Sequence, residues 1–266
     1  MTEPSSFSAA PNLTAPTDSG RTRAIDLLWI LLVVIAGLLA AAAVSVATGL
    51  AAGYVAHQLR IDVSSFQLEL MQGAVVLSIL VTAVIFGFGG RWLARRRGID
   101  RQSFGFCGAR WIWFAAAIVL AALFYLADGW LEQWVDPNGE IGRQMSGNYL
   151  LLPSSPFWLT AVVAAIGPIT ATAEETLFRG MLYRWFRERI GFLLAAILSA
   201  ALFSATHFYF VMPGGFVGQI MTIEIVVFGM IAAALYQASG SLWPSILFHA
   251  LNNGAVVLAA ALSPSI

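Results

Sequence analysis

Seven apolar stretches, each long enough to cross a lipid bilayer as an α-helix, constrain this chain more than any other feature of its sequence. They lie at residues 26–52, 71–90, 111–128, 157–180, 191–210, 216–238 and 241–262. A helix needs about 20 residues to cross about 30 Å of hydrocarbon, and the stretches lack the alternation expected of barrel strands. Only 11% of the residues are charged, against about a quarter in a soluble domain. The sequence therefore predicts an all-α, polytopic transmembrane helical bundle.

Clusters of arginine predict the orientation of these helices. Arg21 and Arg23 precede the first stretch, several arginines at 91–101 follow the second, and three more at 184–189 follow the fourth. Alternating crossings place every cluster on one side, which the positive-inside rule makes cytoplasmic. We expect a multi-pass protein with its N-terminus in the cytoplasm. The short N-terminus and the use of arginine without lysine indicate a bacterial inner membrane.

The remaining composition excludes several classes of function. The formal net charge is zero and no basic stripe with interleaved aromatic residues is present, so we expect no nucleic-acid partner. Cys107 is the only cysteine, which excludes an intramolecular disulfide and a multi-cysteine metal site. Residues 1–22 are rich in Ser, Thr, Pro and Ala and are predicted to be a disordered tail. The outer loop near 129–156 is interpreted as a solvated connector.

A few polar residues interrupt the apolar stretches. An ionisable group inside a membrane span costs at least a few kcal/mol, so it is usually retained for a partner, a pathway or a reaction. Counting from Gly191, Glu174 lies 17 residues before the turn and His207 lies 16 after it, so antiparallel helices bring them level about 25 Å from that turn. His249 lies nine residues after Gly240, or about 13 Å from the next turn. We expect Glu174, His207 and His249 to share one layer. The full set of candidate residues is Glu174, Glu175, Arg179, His207, Glu224, His249, Asn252 and Asn253.

The spacing of these residues predicts different roles for them. Glu175 and Arg179 are four residues apart with the acid first, which favours an ion pair on one helix face. Glu174 then has no local counter-ion, and a desolvated carboxylate suits a general base. His249 and Asn253 are also four apart, so their N–H donors can converge on an oxyanion.

Two further residues are interpreted as supporting ones. Phe203 lies one turn before His207 and is expected to pack against the imidazole. Glu224 has no motif around it, and we expect it to neutralise Arg179 or to polarise a histidine.

Three short motifs on successive helices match a known pattern. The segments EETLFR, FSATH and HALNN fit EExxxR, FxxxH and HxxxN in that order. The chain resembles the CPBP family of intramembrane endopeptidases, also called the Abi family, which groups CAAX prenyl proteases with bacteriocin-processing and immunity proteins. The resemblance covers about residues 157–262, the expected catalytic core. Residues 23–156 hold the other transmembrane helices and the outer loop, and carry no matching motif.

The resemblance implies a reaction and a role for each matching residue. Glu174 and His207 would activate a water molecule, and His249 and Asn253 would stabilise the tetrahedral oxyanion. Glu175 and Arg179 match motif positions that support the site. The expected substrate is a peptide or a membrane-protein segment within the bilayer, cleaved without a cofactor.

Other functions stay open on the sequence alone. One carboxylate and two imidazoles form an open zinc site in some hydrolases, so Glu174, His207 and His249 could hold a divalent metal such as zinc. A non-catalytic membrane scaffold or immunity protein, or a transporter, would also retain charges in the bilayer. The oligomeric state is not predicted.

Overall fold

The computed structural model describes residues 20–60, 67–135, 155–207 and 215–262. Within these ranges the chain is all-helical and has no strand, which confirms the predicted fold class. Tail residues 1–19 and most of the predicted outer loop lie outside the described residues. The seven helices of these ranges are α1 (Ala24–Leu59), α2 (Gln67–Arg96), α3 (Trp111–Val135), α4 (Pro156–Arg187), α5 (Phe192–Ala205), α6 (Gly215–Ser239) and α7 (Leu242–Leu262).

Five of these helices are long and apolar enough to cross a membrane, judged by length and composition. They are α1 to α4 and α6, whereas α5 and the apolar part of α7, Leu242–Leu258, are shorter. Helix α5 has 14 residues, or about 21 Å, and ends before the predicted limit of residue 210. At its end Thr206 N–H donates to the Phe203 carbonyl and His207 N–H donates to the Ser204 carbonyl. His207 therefore lies in a turn just beyond the helix.

Helix α4 is interrupted twice by π-helical turns. Its first α-helical segment, Pro156–Ala164, begins with Pro156 after the N-cap Ser155, whose hydroxyl accepts a hydrogen bond from Trp158 N–H. A π segment, Ala165–Thr170, contains Pro168, which has no N–H to donate. A second π segment spans Phe178–Tyr183. The α-helical turn between them, Ala171–Leu177, carries Glu174 and Glu175. Single π turns of this kind occur often at functional sites.

Helix α4 lies at the centre of the packing. It contacts α2, α5 and α7, while α1 packs along α2, α6 packs on α5, and α7 packs on α3. Alanines that are fully buried on α4, α5 and α6 allow these helices to approach closely; they include Ala171, Ala195, Ala196, Ala232 and Ala233. The two glutamates of α4 are therefore enclosed by other helices.

The arginine-rich segments meet at one end of the bundle. Arg97 Nε and Nη2 donate to both carboxylate oxygens of Asp26 at 2.5–2.9 Å. The backbone N–H and hydroxyl of Thr22 donate to Glu188, and Trp185 Nε1 donates to the Arg23 carbonyl. The arrangement agrees with the prediction that these clusters share one side. Thr22, the last residue of the predicted tail, is buried by these contacts.

The loop between α2 and α3 is anchored to the turn between α6 and α7. Leu242 N–H donates to the Gly105 carbonyl at 2.8 Å, and the Ser241 hydroxyl donates to the Cys107 carbonyl at 2.7 Å. The Tyr236 hydroxyl donates to the Phe104 carbonyl at 3.0 Å. Gly105 has φ +107°, a conformation that side-chain-bearing residues rarely adopt. The loop thus fixes the first turn of α7, immediately before the part that faces α4.

Candidate active site

Glu175 is a fully buried carboxylate that joins α4 to α7. One of its oxygens, Oε1, lies 2.9 Å from Arg179 Nη1 and 2.8 Å from His249 Nδ1. The other, Oε2, accepts a hydrogen bond from the Ser245 hydroxyl. The ion pair with Arg179 that the sequence predicted is therefore present. The bonds to Ser245 and His249, which lie one turn apart on α7, were not predicted.

Arg179 is held on both sides of its guanidinium group. Its Nη2 donates to the Gly229 carbonyl on α6 at 3.2 Å, and its Cζ lies 4.6 Å from the centre of the Phe203 ring. A side-chain carbon at position 229 would lie 2.7 Å from Ala200 Cβ and 3.3 Å from Arg179 Nη2. Glycine at this position therefore allows α5, α6 and the guanidinium group to meet.

Glu174 has its carboxylate beside the opposite nitrogen of His249. Its Oε2 lies 3.5 Å from His249 Nε2, but this contact does not have the geometry of a hydrogen bond. Oε2 is buried and accepts no hydrogen bond from any residue in the described part of the chain. Buried carboxylate oxygens are normally hydrogen-bonded. This oxygen is therefore a candidate acceptor for a proton from a bound molecule.

His249 lies between the two carboxylates, with Nδ1 towards Glu175 and Nε2 towards Glu174. Because an ionised carboxylate can only accept, the 2.8 Å bond assigns a proton to Nδ1. Nε2 is then an acceptor in the neutral ring and a donor in the protonated ring. Aromatic rings enclose the imidazole, with the centre of Phe228 at 4.9 Å and that of Phe203 at 5.8 Å.

His207 approaches the same group of residues from the turn after α5. Its Nδ1 lies 3.0 Å from the Phe203 carbonyl, which can only accept, so Nδ1 carries a proton and Nε2 is the acceptor of the neutral ring. The ring of Phe203 contacts both this imidazole and that of His249, so His207 belongs to the same group of side chains. The level of His207 with Glu174, expected from the count from Gly191, stays a prediction.

Phe203 is the common neighbour of the charged residues. Its ring centre lies 4.7 Å from that of His207, and it also contacts His249 and the guanidinium group of Arg179. Phe178 of α4 packs against it edge to face at 5.0 Å. The predicted contact with His207 is therefore present, and the same ring contacts both imidazoles.

The two asparagines of α7 have different contacts. Asn253 Nδ2 donates to the carbonyl of Ile166, in the first π segment of α4, at 3.0 Å. Asn252 Nδ2 donates to the Phe248 carbonyl of its own helix at 2.8 Å. The amide of Asn253 has a second hydrogen, which is the one that can serve an oxyanion. The predicted convergence of Asn253 with His249 on one point stays a prediction.

Two functional candidates were missed by the sequence analysis. Ser245 precedes His249 by four residues, a spacing that places both on one face of α7. Asp128, in the last predicted turn of its span, lies near Glu224. Glu224 therefore has an acidic neighbour on α3, and its expected contact with Arg179 or a histidine stays a prediction.

The described residues do not contain a ready metal site. No group of three or more His, Cys, Asp or Glu side chains is close enough together in those ranges to hold an ion. The zinc alternative with Glu174, His207 and His249 stays a prediction.

The comparison with known protein families supports the motif assignment. Residues 153–255 match the family described as Type II CAAX prenyl endopeptidase Rce1-like. No curated protein and no solved structure matches the chain. The match confirms the resemblance to CAAX-type proteases over the region that contains α4 to α6, the greater part of α7 and all three motifs. With its apolar helices, the chain is an integral, multi-pass membrane protein.

Proposed function

We propose that this chain is an intramembrane endopeptidase that hydrolyses a peptide bond with Glu174 as general base. The observation that carries the proposal is the buried Oε2 atom of Glu174, which no described residue satisfies and which lies 3.5 Å from His249 Nε2. The family match over residues 153–255 supports a CAAX-type endopeptidase reaction. A base without a donor of its own, in a low-dielectric site, has the properties needed to accept a proton from water.

The first chemical step is attack by water on the substrate carbonyl. Glu174 accepts one proton of the water, and Nε2 of neutral His207 accepts a hydrogen bond from the other O–H. The water oxygen bonds to the carbonyl carbon and the carbonyl π electrons move to its oxygen, forming a tetrahedral oxyanion. Collapse of this intermediate breaks the C–N bond, and the proton held by Glu174 passes to the leaving nitrogen. Glu174 is then ready for another cycle.

The oxyanion is stabilised by donors from α7. His249 donates from Nε2 when its ring is protonated, since Nδ1 is already engaged with Glu175. The second N–H of Asn253 is the other donor. Donors fixed in place before the reaction stabilise the developing charge without reorganisation. Glu175 and Arg179 do not touch the substrate in this scheme and act by holding His249.

The contacts of His249 bear on the choice between a donor and a metal ligand. Its Nδ1 is bonded to Glu175, so Nε2 is the ring nitrogen left for a substrate or a metal ion. In this scheme Nε2 donates to the oxyanion, which leaves it unavailable as a metal ligand. We therefore propose hydrolysis without a bound metal.

The substrate class follows from where the site lies. We propose a peptide or membrane-protein segment that reaches the residues from within the bilayer, in a bacterial inner membrane with the N-terminus cytoplasmic. The arginine-rich end formed by α1, α2 and α4 supports this orientation.

The reaction is tested with the purified full chain in lipid nanodiscs. Quenched fluorescent peptides that end in a CAAX sequence, with and without a farnesylated cysteine, are incubated in H₂¹⁸O and the products are weighed by mass spectrometry. We expect cleavage at one bond, with one ¹⁸O in the new carboxyl group, and no loss of rate with 1,10-phenanthroline. An absence of cleavage of both peptides, or a loss of activity that zinc restores, would contradict the proposal.

A further inference from the structure

We infer that Ser245 is a positioning residue that acts on His249 through Glu175, an inference that rests on the proposed function. Ser245 lies outside the three motifs. It is fully buried, and its hydroxyl donates to Oε2 of Glu175. His249 Nδ1 and Arg179 Nη1 occupy the other oxygen, Oε1, at 2.8 and 2.9 Å. Each oxygen of this carboxylate therefore has a donor, and Ser245 supplies the one on Oε2.

The carboxylate of Glu175 links Ser245 to the imidazole. The last torsion of a glutamate side chain has a broad energy profile, so a carboxylate held at one oxygen can still rotate. A donor at each oxygen fixes the carboxylate plane. The Nδ1–H bond of His249 points at this carboxylate, so the orientation of the carboxylate sets the orientation of the imidazole ring. The position of Nε2, on the other side of the ring, is set with it. Loss of the Ser245 hydroxyl therefore moves the nitrogen that faces Glu174.

The hydroxyl of Ser245 is committed to this contact. A buried serine within a helix usually donates to the carbonyl four residues before it. For Ser245 that carbonyl belongs to Ser241, but the Ser245 hydroxyl donates to Oε2 of Glu175 instead. The Ser245 proton is used by a charged acceptor, and hydrogen bonds to ionised groups are the stronger ones. Its four-residue spacing from His249 places both donors on the face of α7 that meets α4.

The chain offers a matched control for this serine. Ser241 is also fully buried on the same part of the chain, and its hydroxyl donates to the Cys107 carbonyl at 2.7 Å. Its hydroxyl is thereby directed to the loop between α2 and α3 rather than to the carboxylate of Glu175. Ser241→Ala therefore removes a hydrogen bond of similar burial without altering that carboxylate.

The experiment compares Ser245→Ala, Ser245→Cys and Ser241→Ala in the peptide-cleavage assay, with folding checked by thermal unfolding. Cysteine keeps the shape of serine with a slightly larger atom, and is a weak donor. We expect kcat to fall on the order of 10-fold in both Ser245 variants, as for other partners that orient a functional histidine, with KM within about twofold of the parent. Ser241→Ala should lower the unfolding temperature and leave kcat unchanged. In a Glu175→Gln background, Ser245→Ala should cause no further loss.

Three results of this experiment would overturn the inference. Parental kcat in Ser245→Cys would show that only the volume of the side chain matters. An equal loss in Ser241→Ala would indicate general loosening of α7, and multiplicative losses with Glu175→Gln would show that Ser245 does not act through that carboxylate. Failure of the proposed function has a separate signature, which is full activity in Glu174→Gln whatever the Ser245 variants do.

Discussion

Replacement of Glu175 by glutamine is the perturbation with the largest predicted effect on stability. The carboxylate is fully buried, 2.9 Å from Arg179 and 2.8 Å from His249, and it has no access to water that would screen its charge. The amide keeps the shape but removes the charge, so Arg179 stays buried with its remaining contacts to the Gly229 carbonyl and the Phe203 ring. Removing one partner of a buried ion pair lowers the free energy of unfolding by about 3–5 kcal/mol in other proteins.

The lower end of that range applies here. The uncharged amide oxygen of the substituted side chain can still accept the hydrogen bond from His249 Nδ1, and its NH₂ group can donate to the Ser245 oxygen. A loss of about 3 kcal/mol corresponds to a decrease in the unfolding temperature of roughly 6–12 °C for a chain of this size. The measurement is thermal unfolding of purified protein followed by tryptophan fluorescence in a fixed detergent.

Two matched variants make this measurement specific. Glu69→Gln removes another glutamate, which is exposed in the first turn of α2, so its loss leaves no buried charge without a partner. It should lower the unfolding temperature much less. Replacing both partners, Glu175→Gln with Arg179→Met, should restore part of the loss because no buried charge is left alone. A Glu175→Gln variant as stable as the parent, or a double variant with additive losses, would refute the argument.

Two other predictions concern the oxyanion and the packing around Arg179. Asn253→Ala removes one proposed donor and should lower kcat on the order of 100- to 1,000-fold in the cleavage assay; a loss of less than about fivefold would remove Asn253 from the oxyanion role. Gly229→Ala places a methyl group 2.7 Å from Ala200 Cβ, so overpacking should cost about 1–3 kcal/mol in an unfolding experiment. Gly49→Ala, in open space on α1, is its control and should be neutral or slightly stabilising; equal effects of the two substitutions would contradict this reading of the packing.

The sequence was sufficient to predict those features that depend on local spacing. The helical class follows from the length of the apolar stretches, and the Glu175–Arg179 pair follows from a four-residue separation on one helix. That His207 joins the group around His249 agrees with counting residues on both sides of Gly191, because a helix has a fixed rise per residue. Each of these predictions depends on the geometry of one helix or of one turn between two helices.

Features that depend on side-chain direction between helices could not be predicted in the same way. Adjacent residues on a helix point about 100° apart, so Glu174 and Glu175 were expected to have separate surroundings. Both reach His249, because the two nitrogens of its ring lie on different sides. The two π segments of α4 change the direction of side chains on either side of this turn, and only Pro168 marks one of them in the sequence. Local periodicity contains no information on such long-range contacts.

The central claim, that Glu174 is the base, is tested most directly by the cleavage rate of Glu174→Gln beside Glu188→Gln and the parent. Glutamine keeps the size of the side chain and removes its ability to accept a proton, so folding and peptide binding should be retained. The account predicts that Glu174→Gln cleaves the CAAX peptide at near-background rate and binds it as the parent does, while Glu188→Gln cleaves at the parental rate. A folded Glu174→Gln protein that cleaves the peptide at the parental rate would contradict it.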